Sequence, residues 1–68
     1  MIEETESAAY VLLTAHKTYF VEYLIGELIL SSSIDQAMVF SDLITAQAFQ
    51  RMLVETCKLK VSVNTFIK

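Results

Sequence analysis

The sequence predicts an α+β domain: a small antiparallel sheet of three to five short strands with one main helix packed on one face. Three stretches point to it. From Leu43 the apolar residues recur as Leu43, Ala46, Phe49, Leu53 and Cys57, with Met52 beside them, which is one face of an α-helix. After Lys58 the period drops to two. Leu59, Val61, Val63 and Thr65 then alternate with Lys60, Ser62 and Asn64, the pattern of a half-buried strand. Earlier, Tyr19, Val21, Tyr23 and Ile25 alternate with Phe20, Glu22 and Leu24 in a run rich in aromatic and β-branched residues.

Residues 1–7 carry Glu3, Glu4 and Glu6 and no basic residue, so they are expected to form an acidic, flexible leader to one small domain spanning 8–68. Ala9 to Ala15 reads as a mostly buried strand. His16, Lys17 and Thr18 form a tight turn into the strand Tyr19 to Ile25. Gly26 and Glu27 interrupt the apolar pattern, leaving Leu28 to Ser31 as a third strand or a bent continuation of the second. Ser31 to Ser33 is a loop by composition.

Two readings compete after that loop. Ser33-Ile34-Asp35-Gln36 fits a capping box, which would start a helix there. The preferred reading makes Ala37 to Phe40 a short strand and lets Ser41 or Asp42 cap the main helix, because both residues compete for backbone hydrogen bonds inside a helix. The helix then covers about 42–57, with Thr45, Gln47, Gln50, Arg51 and Glu55 on its wet face. A C-terminal strand at about 59–66 pairs antiparallel with an early strand.

One property runs the other way. Several tight turns usually call for Gly, Asn or Pro, and this chain has one glycine and no proline. The alternative is an all-α helical bundle. It ranks second because it places His16 and Glu27 on the face that carries Leu12, Phe20 and Tyr23.

At 68 residues the chain can bury only about 60% of its unfolded surface, yet 54% of its residues are apolar and its mean hydropathy is +0.50. Such an excess favours self-association, most simply as a symmetric dimer. Glu22 and Glu27 break the apolar runs short of a membrane span. With an acidic start and a single cysteine, the chain is expected to be cytoplasmic, with no membrane contact. The net charge of −3 disfavours nucleic-acid backbones.

Candidate chemistry is sparse. His16 and Cys57 are the lone histidine and thiol, so a Cys-His enzyme is conceivable, but Cys57 ends the apolar helix face and His16 falls in a turn. No spacing suits zinc, and one glycine cannot build a phosphate cradle. Accordingly, no catalytic, metal-ligating or cofactor-binding residue is assigned and no cofactor is expected. The cluster of Tyr10, Tyr19, Phe20 and Tyr23 allows a second alternative, single-stranded nucleic-acid binding on a sheet face, although Lys17 is its only nearby cation.

The reading that fits best is a non-catalytic protein–protein interaction domain, an inhibitor or adaptor that occupies a partner's surface and self-associates, its partner another protein. Tyr19 and Tyr23 are the candidate contact residues on the second strand, since tyrosines are enriched at interface hot spots. Arg51 is a third, able to grip a carboxylate with two hydrogen bonds. Alternation alone leaves open whether the Tyr19–Tyr23–Ile25 row or the Phe20–Leu24 row is buried.

Overall fold

A computed structural model describes residues 9–66; the acidic leader expected at 1–7 lies outside the described residues. In chain order they form β1 (Tyr10–Thr14), β2 (Tyr19–Leu24), β3 (Glu27–Ser31), a single 3₁₀ turn (Ile34–Gln36), α1 (Leu43–Cys57) and β4 (Val61–Thr65). The four strands make one antiparallel sheet in the order β3-β2-β1-β4. The fold is α+β, and the all-α alternative is overturned.

The helix begins where its cap is strongest. Asp42, in an extended conformation, accepts hydrogen bonds from the Thr45 backbone N–H at 3.1 Å and from Thr45 Oγ1 at 2.7 Å. It ends at Cys57 because Lys58 turns left-handed, with φ 55°. The N–H groups of Lys58 and Leu59 both reach back to the Leu53 carbonyl. This closure consumes Leu59 and Lys60, so the last strand starts at Val61 rather than 59. Its faces are as the alternation requires, with Leu59, Val61 and Val63 inward.

Ala46 and Leu53 are fully buried under the helix, and Phe49, Met52 and Cys57 pack beside them. Leu43 departs from expectation: it occupies the open first turn and stays exposed. From the sheet, Leu12, Phe20 and Val61 complete the core with Phe40. The Phe49 ring lies 5.9 Å from that of Phe20 and 5.1 Å from that of Phe40, both tilted, the arrangement aromatic pairs favour.

The sheet is uneven. β1 and β4 pair along their whole length, from Tyr10 opposite Thr65 to Thr14 opposite Val61, whereas β1 and β2 are in register only at Leu13 opposite Tyr19. Into the gap comes the chain after the 3₁₀ turn. Met38 N–H donates to the Phe20 carbonyl at 2.9 Å, and Phe40 exchanges two 2.8 Å backbone bonds with Tyr10. The expected strand at 37–40 is thus one bridge. Ser33 does cap the turn at Ile34, but Gln36 Oε1 accepts from Ser31 Oγ instead of closing a capping box.

The shortage of glycine is met by placing ordinary residues in left-handed conformations. Lys17 (φ 62°) turns β1 into β2, and Ile25 (φ 49°) with Gly26 (φ 77°) makes the two-residue turn between β2 and β3. Leu28 to Ser31 is therefore a separate third strand. The first turn is stitched by buried Thr14, whose Oγ1 accepts from the backbone N–H groups of His16 and Thr18 and shares a 2.7 Å bond with Thr18 Oγ1.

Candidate functional site

The three residues singled out as contacts do not converge. In β2 the register slips between Phe20 and Glu22, so that Val21 is an extra residue with no partner of its own on β3. A bulge of this kind resets the alternation. Phe20 and Tyr23 both face the core, while Tyr19, paired with Leu13, faces away from the helix. Tyr19 and Tyr23 therefore lie on opposite faces, contrary to the simple alternation. Arg51 is exposed on the outer side of α1, where it lines a shallow depression of about 430 Å³ with Gln47, Gln50, Val54 and Glu55.

A second depression, of about 480 Å³, lies where the helix meets the ends of β1 and β4. Its lining includes Thr14, Gln50, Lys60 and Ser62 and no histidine, cysteine or carboxylate. Thr14 is committed to the turn, and Gln50 Nε2 donates to the Val61 carbonyl at 2.8 Å. His16 is exposed in the β1–β2 turn, and Cys57 is half-buried against the core. No group of three or more His, Cys, Asp or Glu side chains comes together among the described residues. Among them, too, no helix is long and apolar enough to cross a membrane. Tyr10, Phe20 and Tyr23 pack on the core, which leaves Tyr19 as the one member of the early aromatic cluster on the outer face.

What does stand out is the stretch of chain between residues 24 and 39. Ten large apolar side chains are exposed among the described residues, and seven of them fall in this stretch: Leu24, Ile25, Ile29, Leu30, Ile34, Met38 and Val39. The helix lies over β1 and β4 and meets β2 at Phe20, so it does not cover the far half of the β2–β3 hairpin. At the tip, Leu24 is 58% exposed and Ile25 is 95% exposed. Ile25 is also a β-branched residue in the left-handed region, where such side chains are genuine outliers.

The periodicity of β2 could not show this surface, because it placed Ile25 inside the strand. The only sequence signal was the Ile25-Gly26 pair followed by renewed apolar alternation, a weak form of the two-residue hairpin signature that normally carries Asn or Asp.

The molecule is thus a small four-stranded antiparallel sheet with one helix and an apolar hairpin extending beyond it. Comparison with protein-family models, with curated proteins and with solved structures returned no match.

Proposed function

We propose that this chain is a small non-catalytic protein-binding module, cytoplasmic in keeping with its lone thiol, which acts as an inhibitor or adaptor by occupying a partner's surface. The β2–β3 hairpin makes the contact. A single observation carries this reading: the exposed apolar side chains gather on residues 24–39 and culminate in Ile25, which is both strained and almost wholly in water. Backbone strain of this kind clusters at functional sites, and an exposed apolar tip is a surface that a protein partner can bury. Burying Leu24 and Ile25 against a partner would contribute about 1.5–3 kcal/mol each before the costs of association. The role first given to Tyr19, Tyr23 and Arg51 passes to Leu24 and Ile25.

The test is site-specific photo-crosslinking. A benzophenone amino acid at position 25 is expected to give a discrete protein adduct in the source cells, and the same group at Lys60 is not. If position 25 gives no adduct, or the same adducts as position 60, the reading fails.

A further inference from the structure

We infer that the partner of the hairpin is a second copy of this chain, joined through the outer edge of β3 as an antiparallel pair, so that two four-stranded sheets become one of eight. This rests on the reading of the hairpin as the contact surface and gives that surface an occupant.

The two edges of the sheet are built differently. β4 is preceded by Lys58 and Lys60, and its first outward carbonyl is already taken. Thr14 spends its N–H on Thr18 and its C=O on Lys17, so the Thr14–Val61 pair is not hydrogen-bonded and Val61 presents its C=O away from β1, where Gln50 Nε2 meets it. Lysines and covering side chains are the usual means of blunting an edge. β3, from Glu27 to Ser31, has no lysine, arginine or proline, and the bulge beside it lies in β2, leaving its outer edge regular. Ile29 and Leu30 are exposed on it.

The sequence of β3 also matches itself. Leu24 and Glu27 close a two-residue turn and so form a hydrogen-bonded pair, and by alternation Leu28 and Leu30 turn their backbone N–H and C=O groups outward. An antiparallel partner must set outward residue against outward residue. A two-fold axis at Ile29 does so: Leu28 faces Leu30 of the other copy, Ile29 faces Ile29, and Glu27 faces Ser31. This register uses all five residues and never opposes the two glutamates, and registers displaced by two residues leave fewer strand residues paired. Leu28, which packs on the core, would then extend that core to Leu30 of the second copy.

Sedimentation of the intact chain and of Ile29→Lys, with disulfide trapping, tests this. Wild type is expected to sediment as a dimer. Ile29→Lys is expected to weaken association at least tenfold with an unchanged circular dichroism spectrum. In a Cys57→Ala background, Ile29→Cys is expected to form an interchain disulfide on mild oxidation, because directly opposed side chains in such a pair have Cβ atoms about 4.5–5.5 Å apart; Ser62→Cys on β4 is expected not to. Should Ile29→Lys fail to fold, the Ile29→Cys disulfide decides. A monomer at all concentrations, a dimer untouched by Ile29→Lys, or trapping at Ser62 in preference to Ile29 would overturn the inference. A monomer that still gives a position-25 adduct with a different protein would overturn only the self-pairing and leave the binding module standing.

Discussion

Ile25 and Asp42 show how single residues in this chain work for or against the fold. Ile25 holds a left-handed turn position that costs an L-residue about 1–2 kcal/mol, and the neighbouring Gly26 already satisfies the second position. Ile25→Asn would create the Asn-Gly pair favoured by such turns. We expect it to raise stability by about 1 kcal/mol, which for a domain of this size is about 4–8 °C in Tm. The same substitution should abolish the hairpin's binding, so the calorimetric Tm should rise while the crosslink from a benzophenone at position 24 is lost. Asp42 acts the other way. Its hydrogen bonds from the Thr45 hydroxyl, then from the Thr45 backbone N–H, hold its pKa below the ordinary 3.8. A lowered folded-state value means the contribution is fully present above the unfolded-state pKa and is lost as pH falls through the folded one. Asp42→Asn keeps a good cap without a titrating group. Its denaturation midpoint should therefore fall less steeply than that of wild type below about pH 4.

At the scale of elements, the helix was legible and its neighbours were only partly so. Periodicity and a capping aspartate located α1, since both signals depend on local sequence. The beginning of β4 was misplaced because the helix closure at Lys58 takes two residues that alternate like strand residues. Replacing Lys58 by Gly removes the left-handed penalty at that closure and should stabilise the chain by about 1 kcal/mol in urea unfolding, with no change in m-value. The bulge at Val21 had no legible cause: Val21 is an ordinary strand residue, and the slip falls next to Phe20, whose carbonyl accepts from Met38 of the inserted segment. That one unpaired residue separates Tyr19 from Tyr23 and explains why simple alternation placed them on one face. The sparse turn signals had a cause in the chain itself, which uses Lys17 and Ile25 where glycine or asparagine is usual.

At the scale of the whole molecule, one small core ties helix, sheet and inserted segment together. Phe20 is the piece common to all of them, fully buried, its ring tilted against that of Phe49 and its carbonyl accepting a hydrogen bond from Met38. Phe20→Ala should cost about 3–5 kcal/mol, a large share of what a domain this size possesses, and we expect its cooperative thermal transition to broaden or vanish. The excess hydrophobicity of the composition was real, but its location depended on tertiary structure: a 15-residue helix spans two of the four strands and leaves Leu24, Ile25, Ile29 and Leu30 of the hairpin exposed. The amide of Gln50 on the Val61 carbonyl bears on growth as well. In the dimer inferred above, β4 would be the edge left at each end of the joined sheet, and one of its outward acceptors is already held by its own chain, which disfavours addition of a further molecule there. Gln50→Ala would free that acceptor, and species larger than a dimer in sedimentation are the expected outcome.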